Sequence, residues 1–228
     1  MRDRLWVAGV IGGLAAMVVL AAVVLKFGIK DPSPPSLVDD PNPEIPGQIA
    51  YIARDVCIRL VEASGSQPRE VTCLSPNTGI GGLIWLDERH IAVAAFGQSG
   101  IEWTSVDVSN GDRAPVPSPT PGGALDNMVS PRGEELFIEW DSGDVFRLEG
   151  GDRIRIFDFD GPDNWAPEYV TWSPDGEWVL LRYGEKGELW IVRRDGSFAG
   201  TLTDDVSYGG ATWWIDGLDP LPPSNLLK

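Results

Sequence analysis

Histidine is almost missing from this 228-residue chain: His90 is the only one, and Cys57 and Cys73 are the only cysteines. Nucleophilic catalysis on the Ser-His-Asp or Cys-His plan needs a histidine beside the nucleophile, and a zinc site needs several such ligands at short spacing. Both chemistries lack their parts. His90 ends a WLDERH turn where a strand begins, which suits a solvated or capping role. No serine sits in a GxSxG elbow, and no glycine loop is built to cradle phosphate. Basic residues are scarce too, with 18 Lys and Arg against 34 Asp and Glu and a formal net charge of −16. Residues 1–30 hold four basic residues against Asp3, so the remainder carries about −19. Such a surface repels nucleic acid and anionic lipid heads and favours cations or basic partners. Neither a nucleic-acid partner nor a cofactor is expected. Closely spaced carboxylates at Asp158, Asp160 and Asp163 could offer hard oxygen ligands to calcium. They depart from the EF-hand pattern and lack its distal glutamate, so a polar connection between elements is preferred and no metal ligand is assigned.

Tryptophan and turn residues are plentiful. Thr171–Ser197 reads TWSPDGEWVLLRYGEKGELWIVRRDGS. In Ser173-Pro174-Asp175-Gly176 the proline presets φ for the second turn position, and the glycine accepts the positive φ that often follows. Trp178–Tyr183 is apolar at nearly every position, which predicts a strand covered on both faces. Glu188–Arg193 gives another strand, Asp195-Gly196 a tight turn, and Phe198–Thr203 a further strand.

The unit recurs. Trp85 opens WLDERHIAVAAF, Val129 opens VSPRGEELFIEW, Trp172 opens WSPDGEWVLLRY and Trp214 opens WIDG, at intervals of 44, 43 and 42 residues. A second landmark, the glycine turn at Gly65, Gly111, Gly151 and Gly196, recurs at 46, 40 and 45 residues. Two unrelated landmarks sharing a period of about 43 residues match the length of a four-stranded propeller blade. The segment Tyr169–Asp204 resembles the WD-type repeat of TolB-like β-propellers, in its WSPDG turn, its strand Val179–Leu181, its polar hairpin and its closing Leu202-Thr203. That resemblance implies a propeller used as a docking or binding scaffold. The fold class expected is all-β, a small four-bladed β-propeller at 47–218 carried on one N-terminal transmembrane helix, with a tail at 219–228.

Residues 1–4 form a short tail before Leu5–Leu25, 21 residues without a charge, about the span of a bilayer core. A signal anchor at 5–25 is expected, and a cleaved signal peptide is the competing reading. Gly9 and Gly13 have the GxxxG spacing, which also occurs in ordinary lipid-facing helices. Residues 26–46 read as a stalk, since Asp31–Gly47 has six prolines. A second proline run, Pro115–Pro121, reads as a stiff surface loop or a docking peptide. The domain is placed outside the cell membrane, facing another envelope protein.

Two further expectations concern how the domain is held. Cys57 and Cys73 are equidistant from Gly65, so a hairpin turning there sets them opposite each other, either bridged or as two buried thiols. Gly47–Ala53 matches the strand after a WSPDG turn, and Gly210–Asp216 matches the strand and turn before one. Pairing these ends closes the ring and buries Trp213 or Trp214; an open half-ring that dimerises is the rival. The function expected is a protein-binding or assembly module. The alternative is an envelope enzyme acting on a glycan or peptide through carboxylates in the central pocket.

Overall fold

The computed structural model describes residues 38, 44–76, 79–97, 100–119, 128–159, 166–184 and 187–221. The chain divides into two units, Met1–Ser33 and Pro34–Lys228, and the described residues belong to the second. The expected transmembrane helix at 5–25 lies outside them. Among the described residues no helix is long and apolar enough to cross a membrane.

The described strands form four antiparallel sheets, an all-β arrangement consistent with a small β-propeller. The first sheet holds β1 (Gln48–Ala53), β2 (Cys57–Glu62) and β3 (Arg69–Cys73). The second holds β4 (Gly79–Trp85), β5 (His90–Gly97), β6 (Gly100–Asp107) and β7 (Arg113–Pro115). The third holds β8 (Glu135–Ile138), β9 (Val145–Glu149) and β10 (Asp152–Phe157), and the fourth β11 (Glu168–Trp172), β12 (Trp178–Tyr183), β13 (Glu188–Arg193) and β14 (Ala199–Thr203). The last strand, β15 (Val206–Trp214), returns to pair with β1, so the first sheet runs β15-β1-β2-β3. Segments far apart in sequence thus share one sheet.

Turn chemistry explains why the strands stop where they do. After Trp172, the Ser173 hydroxyl accepts from the Trp178 amide at 2.9 Å and donates to Asp175, whose carboxylate accepts from the Glu177 amide at 3.0 Å. Gly176 takes φ +70, which a side chain would resist. Ser130 serves the third sheet in the same way, accepting from the Arg132 and Glu134 amides at 3.1 Å. The second sheet lacks both proline and glycine here, and Asp87 substitutes by accepting from the Arg89 and His90 amides at 2.8 Å.

Alternating residues feed three shared cores. Across β1 and β15 the register sets Ile49 opposite Trp213 and Tyr51 opposite Ala211. These pack against Val170, Leu180, Leu189 and Ile191 of the fourth sheet. The intervening Ala50 and Ile52 face Leu83, Trp85, Ile91 and Val93 of the second sheet. On its other side the fourth sheet presents Trp172, Val179, Leu181 and Trp190 to Leu136, Ile138 and Ile156 of the third. A fourth group, Ile84, Ala92, Ala94 and Trp103 with Ile101 and Val116, comes from the second sheet and the chain just after it. No described residue of the third sheet joins that group.

Polar ties reinforce the packing. Buried Trp85 donates its indole N–H to the Thr212 carbonyl of the first sheet at 3.3 Å, and buried Trp172 donates to the Met128 carbonyl beside the third at 3.2 Å. Glu134 accepts from Arg147 at 2.5 Å and from both Nε and Nη2 of Arg194, joining the third and fourth sheets. Cys57 and Cys73 lie opposite each other on β2 and β3, joined in a disulfide. Two residues of the proline-rich segment also touch the sheets. Val38 forms a parallel bridge to β14, donating to Ala199 O at 3.2 Å and accepting from Thr201 N at 2.9 Å, while Ile45 is buried between the first and fourth sheets.

Candidate functional site

Trp213 and Trp214 take opposite faces of β15, and only one is deeply buried. Trp213 is 1% exposed and donates its indole N–H to Pro46 O at 3.0 Å. Trp214 is half-buried, lies 5.9 Å from the Trp85 ring and donates to the Asp216 carboxylate. Both hold the sheet together. His90 caps its own turn, its Nδ1 lying 2.9 Å from Asp87. Burial works against ionisation of Asp87, but the Arg89 and His90 hydrogen bonds outweigh it and hold the carboxyl below the usual range. Asp158 lies 3.5 Å from the Arg155 guanidinium, and Asp160 and Asp163 fall outside the described residues.

Hollows open among the described residues, and two of them bear on function. One, of about 710 Å³, lies where the first and second sheets meet. Its polar groups already serve one another: Gln48 donates to Glu62, Arg69 to Val108 O, and Arg89 pairs with Asp107. The other, about 630 Å³, is lined by Ile80, Gly81 and Phe96 of the second sheet, Met128, Glu135, Leu136, Phe137, Ile138 and Trp140 of the third, and Pro167, Glu168 and Tyr169 of the fourth. Its polar groups are fewer, and its aromatics Phe96, Phe137 and Trp140 are exposed. This second hollow is the candidate site.

Local structure holds these aromatics at the surface. Phe96 pairs with Gly79 across β4 and β5, and a Cβ at Gly79 or Gly81 would come within 3.2 or 3.4 Å of its ring. The two glycines let the ring lie across the strand, and it remains 54% exposed. Phe137 stands opposite Phe146 on the face of the third sheet turned away from its core, and the Arg153 guanidinium covers both rings at 4.5 and 4.3 Å. Trp140, on the turn after β8, is 76% exposed. Glu168 accepts from Arg182 at 2.7 Å. Burial raises the Tyr169 phenol well above the ordinary tyrosine value, so it stays neutral, and its oxygen accepts from the Trp172 amide at 3.1 Å.

The arrangement can grip an apolar group among its exposed aromatics. Elsewhere in the domain the carboxyls of Asp87, Asp107, Glu134 and Asp195 are held below their usual range by hydrogen bonds and neighbouring cations. For Asp107 the Ser109 hydroxyl brings the value down to about 2. None of these four lines the aromatic hollow.

No protein-family model and no curated protein matches the chain. Solved structures similar to it include TolB from Acinetobacter baumannii, at 20% identity over 69% of this chain and 41% of that one, TM-score 0.26. A putative TolB from Agrobacterium tumefaciens is 19% identical over 79% of this chain and 63% of that one, TM-score 0.28. A chain of a nidogen/laminin complex is 13% identical over 74% and 70%, TM-score 0.29. The chain spans less than two thirds of either TolB. With TM-scores this low, the fold rests on the sheets and registers described above.

Proposed function

We propose that the chain is a four-bladed β-propeller, displayed outside the cell membrane on a single N-terminal helix, and that it serves as a protein-binding or assembly module for another envelope protein. The observation that carries this reading is the exposure of Trp140, Phe96 and Phe137 around one hollow of a scaffold whose other large aromatics are mostly buried. Exposed apolar clusters rimmed by polar residues mark interaction sites, and tryptophan is over-represented among the residues that dominate binding. The uncharged stretch Leu5–Leu25 supports the anchor, and the acidic remainder supports a basic partner. The test is affinity capture of the intact protein from detergent, followed by mass spectrometry. Recovery of one stoichiometric envelope protein is expected. An empty capture beside turnover of a glycan or peptide library would overturn it in favour of an enzyme.

A further inference from the structure

We propose that the hollow between the second and third sheets receives an extended segment of a partner protein that presents an apolar side chain flanked by lysine or arginine. This rests on the binding-module reading above. The place is marked by a failure of the repeat. Trp85 and Trp172, at 1% and 0% exposure, each reach across to a carbonyl beside a neighbouring sheet. At the equivalent position of the third sheet stands Val129, 47% exposed, with no indole to reach the second sheet. Three sheet pairs share an apolar core, whereas no described core cluster joins the second and third sheets. Beside that seam lie Phe96, Phe137 and Trp140.

Charge selects the occupant. The ionisable side chains lining the hollow, apart from the neutral Tyr169, are Glu135 and Glu168. Arg182 satisfies one oxygen of Glu168, and Arg153 is turned to the phenyl rings and to Glu139 at 3.4 Å. Glu135 makes no ion pair among the described residues. A second copy of this chain would bring a further formal charge of −16 to an already acidic rim, so self-association through this face is opposed. A basic segment with an apolar anchor meets both requirements: the anchor fills the hollow between the aromatics, and the cations meet the glutamates.

The probe is a fluorescein-labelled peptide of sequence Lys-Lys-Leu-Phe-Leu-Lys-Lys, followed by anisotropy with the full-length protein in detergent micelles at about 0.15 M salt. Its counterparts replace the lysines by glutamate, or Leu-Phe-Leu by Gly-Ser-Gly. The first peptide is expected to bind, each counterpart about tenfold or more weakly, and Trp140→Ala or Glu135→Lys to weaken the first peptide by about tenfold. Both substitutions are at exposed positions and leave the packed cores untouched. Equal binding of the Gly-Ser-Gly peptide, no effect of Trp140→Ala, or no binding up to about 1 mM would overturn the proposal. Light scattering on the same sample reports a dimer, and a dimer broken by Trp140→Ala would assign the face to a second copy instead. Benzoylphenylalanine placed at position 88 or at position 140 separates the two levels. Adducts to one partner from position 88 alone would leave the binding module standing and remove this groove.

Discussion

Trp213→Ala is the sharpest test of the join between the chain's two ends. The ring is 1% exposed, packs with Ile49 and the fourth-sheet core, and donates to the Pro46 carbonyl at 3.0 Å. Truncating a fully buried tryptophan costs about 3–5 kcal/mol, and leaving the Pro46 carbonyl without its donor adds on the order of 1 kcal/mol. Trp214→Ala is the internal control. That ring is half-buried and its indole serves only the exposed Asp216 carboxylate, so its loss costs about 1–2 kcal/mol. For a domain of this size each kcal/mol moves the melting temperature by roughly 2–4 °C, which puts Trp213→Ala some 10 °C or more below wild type. Urea unfolding by tryptophan fluorescence, with calorimetry to check the two-state assumption, gives both numbers. If Trp213→Ala lies within about 1 kcal/mol of wild type, or Trp214→Ala costs more than it, the β1–β15 register is wrong.

Glu134→Gln leaves Arg147 and Arg194 without their shared carboxylate and should cost about 3–5 kcal/mol near pH 7. Burial opposes the charge on Glu134, but the two arginines hold its folded pKa below the ordinary glutamate value of 4.5; its stabilisation is therefore full above that pH and lost as pH falls through the lower folded value. Acid titration of stability should thus be shallower in the variant below about pH 4.5. Free-thiol labelling of the denatured, unreduced domain should find no reactive cysteine, and Cys57→Ser with Cys73→Ser should cost about 3 kcal/mol for a loop of separation 16. Two reactive thiols would remove that claim. External protease added to cells with permeable outer layers should degrade the domain and leave a small membrane-bound stub. Degradation only after the cell membrane is breached would place the domain inside.

Much of the fold is legible because turn chemistry is local. Gly176, Gly196, Gly65, Gly111 and Gly151 all take the positive φ that marks them as turn residues, and the last four recur at about the repeat length. The second sheet's first turn carries no such residue, and only its spacing from Trp172 locates it; the Asp87 cap that closes it becomes evident from hydrogen bonds. Which of Trp213 and Trp214 is buried depends on register, and a one-residue slip exchanges the two faces. The ion cluster of Glu134 and Arg194 spans 60 residues, a separation at which no sequence pattern pairs charges. The candidate site was the least visible part. Phe96, Phe137 and Trp140 sit in strand-like runs where aromatics usually point inward, and their exposure follows from the neighbouring sheet. One signal was present: Val129 stands where the repeat carries tryptophan.

Restoring that tryptophan tests whether the broken repeat is a site or a lapse. In a sequence whose local choices otherwise agree with its fold, the place where they fail is where function is to be sought. At Val129→Trp the new ring would lie against the second sheet, as Trp85 lies against the first. Burying about half of an indole, about 100 Å², contributes roughly 2.5 kcal/mol, less about 1 kcal/mol of rotamer freedom. A net gain of about 1–2 kcal/mol is expected, read as a higher urea midpoint at unchanged slope. The same ring would close the seam beside Phe137, so affinity for the basic apolar peptide should fall about tenfold while stability rises. A variant both more stable and equally able to bind would show that the groove lies elsewhere. One that is less stable, with binding unchanged, would show that valine is simply the residue that fits.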